Sequence, residues 1–193
     1  MALLGDVSCP AKRRPFRAWA ALALALLLFS AARAEISREE EVKAALLYHF
    51  TQFVDWPREA YDGEHSPLVI GVLGHDPFGE VLDRLVADEA VGGHPVRLVR
   101  VREVESARRC HLLFVSASEQ GRVQSILREL GGLPVLTVAD FDGFLRAGGM
   151  VQLYRNRANK IRVQVNLAEA RAAHLTFSAK LLRVVELFPT EEK

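Results

Sequence analysis

Six histidines, a few carboxylates at the ends of apolar runs and two serines are the residues of this chain whose types suit chemistry. No histidine stands at metal-ligand spacing from another His, Cys or carboxylate, so a metal centre has no local signature. His49 lies beside Phe50 and near Phe53, which points to a structural role. Gly71-Val72-Leu73-Gly74 follows an apolar run, but the third glycine and the Lys-Ser/Thr pair of a phosphate loop are absent. Ser116 and Ser118 follow another apolar run without a Gly-x-Ser-x-Gly elbow. Asp55, Asp76 and Asp140 flank apolar segments, where turn and cap roles account for them. Spacing ties no pair of carboxylates to one site. The expectation is a protein that is not an enzyme and carries neither cofactor nor metal.

Two groups exceed what folding needs. Arg155-Asn156-Arg157-Ala158-Asn159-Lys160-Ile161-Arg162 holds four cations within eight residues. A solvated hairpin turn accounts for that pattern, and an acidic partner or anionic ligand is the alternative. Phe53 and Trp56 close an apolar helical pattern. Burial is the default for both, whereas an exposed Trp there would suit an interface. Phe53, Trp56, Arg155 and Arg162 are therefore the candidate partner-binding residues.

The elements that must position these groups alternate in type. Apolar residues at 42, 45, 46, 50 and 53 predict a helix over 38–54, with Glu39, Glu40 and Glu41 at its positive end and Trp56-Pro57 ending it. Apolar runs predict strands over 68–73, 111–115 and 134–138, and alternation of apolar and basic residues predicts one with a wetter face over 96–101. Helices are expected from Asp76-Pro77 to 87, from Ser118 to 130, and from Asp140 through Phe141, Phe144 and Leu145. Strands over 150–154 and 161–165 flank a turn at 156–159, and helices over 167–173 and 177–188 follow. Alternation of this kind implies a single-domain α/β sandwich with a mixed, largely parallel sheet flanked by helices. The last two strands are joined too closely for a helical crossover and should pair antiparallel.

The chain opens with an export pattern. Lys12-Arg13-Arg14-Pro15-Phe16-Arg17 is basic, Ala18 to Phe29 is apolar, and Ala32-Arg33-Ala34 offers a cleavage site before Glu35. The apolar run is shorter than the roughly 20 residues of a spanning helix. Residues 1–34 therefore read as a secretory signal peptide and 35–193 as the folded domain. Cleavage removes five basic residues but only Asp6, turning the net charge from +1 to −3. That balance gives no reason to expect nucleic acid as a partner. Cys110 is then the one cysteine left, and it reads as a small buried hydrophobe with an intermolecular disulfide as the alternative.

Four blocks together resemble the YfiR family of periplasmic regulators, also called YfiR/HmsC-like. They are Lys43-Ala44 through Phe50-Thr51-Gln52-Phe53-Val54-Asp55-Trp56-Pro57, the stretch from Gly71 to Pro77-Phe78, and Cys110-His111-Leu112-Leu113-Phe114-Val115-Ser116. The fourth is the C-terminal pattern Gly148-Gly149-Met150-Val151-Gln152-Leu153-Tyr154, Asn159 to Asn166, and Ser178-Ala179-Lys180-Leu181-Leu182. The resemblance spans nearly all of 41–187. It implies a periplasmic α/β domain that represses an inner-membrane diguanylate cyclase by contacting its periplasmic sensor region, so that release raises cyclic di-GMP and favours biofilm. Other members look like accessory proteins of sensor kinases or outer-membrane receptors. This chain departs from the pattern in lacking the disulfides of better-known members and in having Gln164 where many relatives have Glu.

The rival reading is a small-molecule-binding accessory protein, with a pocket at the carboxyl ends of the strands near Gly74, His75 and Ser116. A second copy of the chain is a further candidate partner. A hydrolase lacks any signature.

Overall fold

A computed structural model describes residues 38–189, so the expected signal peptide lies outside the described residues. The first element, α1, is Arg38–Phe53, with three glutamates in its first turn. Its buried residues, Lys43, Ala44, Leu47, Phe50 and Thr51, recur at helical spacing and make one stripe against the core. The helix gives way to a short strand, β1 (Val54–Asp55), just before Trp56-Pro57.

The sheet elements then follow. They are β2 (Leu68–Leu73), α2 (Glu80–Val86), β3 (Ala90–Val91), β4 (His94–Val101), α3 (Val104–Ala107) and β5 (Leu112–Val115). After a 3-10 helix at Ala117–Arg122 come α4 (Val123–Leu130), β6 (Leu136–Ala139), β7 (Val151–Arg155) and β8 (Ile161–Val165). The chain closes with α5 (Leu167–Ala172), β9 (Thr176–Phe177), α6 (Ala179–Leu182) and β10 (Glu186–Leu187).

Eight strands form the main sheet in the order β10-β8-β7-β6-β5-β2-β4-β3. Strands β4, β2, β5, β6 and β7 run parallel. As expected, β7 and β8 pair antiparallel. From β2 the chain steps outward to β4, then crosses back to lay β5 on the other side of β2. The carboxyl ends of β2 and β5 therefore flank the topological switch point of the sheet.

Alternation within the strands makes two cores. Leu68, Ile70, Val72, Leu112, Phe114, Leu136, Val138, Val151 and Leu153 face one way and pack under α1, α2, α5 and α6. Leu73, Leu113, Val115 and Ala139 face the other way, toward α3, α4 and the Phe141–Phe144 turn. A strand with apolar residues on both faces must be covered on both, which explains the continuous apolar runs. Each fully buried Leu, Ile or Phe contributes about 1.5–3 kcal/mol.

Four local expectations are corrected. Asp76 does not cap a helix; its Oδ1 accepts from the Phe78 N–H at 2.8 Å, and α2 begins only after Gly79. Ser116, not Ser118, is the cap in its segment, and it caps a 3-10 turn rather than a long helix. Residues 140–148 are turns, because Gly143 and Gly148 take φ values of +86° and +101° that no helix allows. The expected helix over 177–188 is only the single turn α6; β9 precedes it, pairing with β1, and β10 follows it as an edge strand on β8.

Candidate functional site

Three groups of side chains are placed where chemistry or recognition could occur: one at the carboxyl edge of the sheet, one at its switch point and one at its amino edge.

At the carboxyl edge, α1 starts beside the end of β6. Lys43 is 8% exposed. Its Nζ lies 2.6 Å from Asp140 Oδ2 and 2.7 Å from Glu39 Oε1. Glu39 stands four residues before Lys43, the favourable order for a helical pair. The other Glu39 oxygen meets the guanidinium of Arg155 at the end of β7, and Arg155 also donates to Asn159 Oδ1 at 2.8 Å. A chain of charges thus runs from Asp140 through Lys43 and Glu39 to Arg155, binding α1 to the sheet and to the β7–β8 hairpin. Burying one ammonium between two carboxylates satisfies a charge that would otherwise be costly to bury.

The hairpin turn is built by Asn156, whose Oδ1 accepts from the N–H groups of Ala158 and Lys160, both at 3.0 Å. Asn159 takes φ +57°, a conformation Asn tolerates. Tyr154 pairs with Arg162, and Arg155 with Ile161. Directly paired residues share a face, so Arg155 and Arg162 point to opposite sides of the hairpin. Arg155 faces α1, while exposed Arg162 shares its face with Tyr154, whose hydroxyl donates to Glu186 at 2.6 Å. The two arginines are neighbours in the chain fold but do not form one patch.

At the switch point the structure does bring Gly74, His75 and Ser116 together. The His75 N–H donates to Ser118 Oγ at 3.0 Å, and Ser116 Oγ accepts from the Ser118 N–H at 3.4 Å. Gly74 has φ +90°, and a Cβ there would lie 2.4 Å from Ser118 Oγ and 2.7 Å from Glu119 Cγ. The loops are packed against each other across the position where the ends of the strands diverge. Arg100 braces the same loop, with Nε 2.8 Å from Asp76 and its other nitrogens on Asp83 and the Gly79 carbonyl. Its hydrogen bonds hold the Asp83 carboxyl below the ordinary carboxylate range.

At the amino edge, Trp56 donates its indole N–H to the His111 carbonyl at 3.0 Å. His111 is 5% exposed. Its Nδ1 accepts from the Val69 N–H at 3.0 Å, which places the ring hydrogen on Nε2. Tyr61 packs between two histidines, with centroids 3.9 Å from His94 and 4.5 Å from His111. Burial, then the neighbouring His94, push the His111 pKa down to about 4, against weaker upward pulls from the backbone of Ala60 and from Asp62. Among the described residues, His111 Nε2 is the buried side-chain nitrogen or oxygen that lacks a partner of hydrogen-bond geometry. Phe53 and Trp56 are half-buried and pack on the first core. They lie at the opposite end of α1 from Arg155, so the four candidate partner residues do not converge.

Sequence reasoning missed Lys43, Asp140 and His111. Lys43 falls between the apolar positions read from the sequence, and its partner lies 97 residues away, so neither carried a local signal.

These groups orient and fasten. Among the described residues no three His, Cys, Asp or Glu side chains are grouped to hold a metal ion. No described helix is long and apolar enough to cross a membrane. The fold is a three-layer α/β domain with a mixed sheet and a charged hairpin at one edge. The YfiR/HmsC-like family model matches residues 40–186, from the first turn of α1 to the start of β10, and the chain belongs to that family. No curated protein matches it.

Proposed function

We propose that this protein is a periplasmic regulator that represses an inner-membrane diguanylate cyclase by binding its periplasmic sensor region, thereby limiting cyclic di-GMP and biofilm formation. The observation that carries this reading is the family match across 40–186.

Repression of this kind is binding linkage. The regulator binds the inactive form of the cyclase more tightly than the active form, and whatever weakens that preference releases output. Driving the switch from 1:99 to 99:1 takes about 5.5 kcal/mol of differential affinity. One interface with a few well-placed anchors supplies that.

The test is cellular cyclic di-GMP with and without the gene. Deletion should raise it, and a full-length copy should restore it where a copy lacking Met1–Ala34 should not. Unchanged cyclic di-GMP on deletion would overturn the reading.

A further inference from the structure

On the face of the sheet opposite α1, the amino half of α4 and the turn after β6 enclose an open groove of about 650 Å³. Its lining is basic. Arg122 and Arg128 come from the α4 side and Arg146 from the turn, against one carboxylate, Asp142. Arg122 is committed, pairing with Glu119 and donating to the Arg102 carbonyl at 3.2 Å. Arg128 and Arg146 are exposed and have no ion-pair partner among the described residues.

The walls are fixed. Gln120 Nε2 donates to the Asp142 carbonyl at 3.3 Å, tying one wall to the other. Phe141 is buried below, its ring edge-on to Phe144 with centroids 5.5 Å apart. A pre-formed groove loses little entropy on binding.

We infer that this groove binds an acidic, extended polypeptide segment of the protein's regulatory partner, an inference that rests on the regulatory reading above. Charge complementarity selects the occupant: the exported chain carries a net charge of −3, yet this surface presents the two unpaired guanidiniums of Arg128 and Arg146 to one carboxylate, Asp142. Shape selects it too. The groove is too open to enclose the 70–90% of surface typical of a small bound ligand, and its two unpaired guanidiniums stand on facing walls. A strand of carboxylates lying between them would meet a planar, two-pronged donor on either side.

The test uses protein purified from cells expressing the full chain and a fluorescein-labelled oligoglutamate peptide, read by anisotropy. Arg128→Glu/Arg146→Glu should lose about tenfold or more in affinity, and the control Arg97→Glu on β4 should not. In cells, the double variant should raise cyclic di-GMP to the deletion level at unchanged abundance and melting temperature. Equal binding by wild type and double variant would overturn the inference, as would an equal loss in Arg97→Glu. Displacement of the peptide by millimolar inorganic phosphate would assign the groove to small anions and overturn it likewise. If gene deletion leaves cyclic di-GMP unchanged, the regulatory reading fails, and the anisotropy comparison still decides the groove by itself.

Discussion

The indole N–H of Trp56 and the backbone carbonyl of His111, 55 positions apart, meet at 3.0 Å. The same carbonyl accepts from the Leu136 N–H at 2.8 Å, and the His111 N–H donates to the Val69 carbonyl at 2.8 Å. Trp56 therefore clamps the segment after α1 onto the point where β2, β5 and β6 begin. Trp56→Phe keeps the ring and removes the donor. It should cost about 1 kcal/mol, a fall of roughly 2–4 °C in melting temperature for a domain of this size. Trp56→Ala should cost about 3 kcal/mol or more through lost packing. Thermal unfolding of the two variants separates the hydrogen bond from the ring.

His111 makes stability depend on pH. Its folded pKa of about 4 lies below the ordinary 6.5, so the unfolded chain binds the proton more readily. The stability this histidine contributes is fully present above pH 6.5 and is lost as pH falls from 6.5 to 4. The loss approaches about 3 kcal/mol. Urea titrations across that window should show the decline in the wild type. His111→Gln should be less stable at neutral pH and flatter across the window; an unchanged slope would mean another group titrates.

Lys43→Met should be strongly destabilising. It leaves Asp140 and Glu39 as adjacent, partly buried carboxylates with their shared cation gone. The expected cost is on the order of 2–3 kcal/mol, at the low end for a broken buried pair because both acids keep some exposure to water. Chemical denaturation measures it.

Cys110 should be inert in the native protein. It is a free thiol, buried against Gly71, and burial pushes its pKa up to about 11. Reaction with a thiol reagent should proceed only as fast as the domain opens, and urea should accelerate it sharply. Rapid labelling under native conditions would mean that the β2–β5 region breathes.

The strands were legible because each of Leu68–Leu73 and Leu112–Val115 is an unbroken apolar run, which only a sheet covered on both faces needs. The β7–β8 pairing followed from a connection too short to cross over. The turn at 140–148 was misread because Phe141, Phe144 and Leu145 have helical spacing, yet they bury by folding over α4 around two glycines of positive φ. The C-terminal segment was misread for a similar reason: backbone pairing of Phe188 with Val165, at 2.8 Å, outweighs the helical periodicity of a short stretch. Arg155 and Arg162 looked like one cluster in the sequence, and only the register of the hairpin shows that they face opposite ways. The groove was not legible at all, since its walls come from segments with a strand between them.

One helix carries both edges of the sheet. At 16 residues, α1 is about 24 Å long. Lys43 pins its first turns to Asp140, and the Trp56 clamp just past its end pins the chain to His111. Between those two fastenings Ala44, Leu47 and Phe50 seat the helix on the core, so the charged hairpin and the aromatic strap, at opposite ends of the strands, brace a single rod.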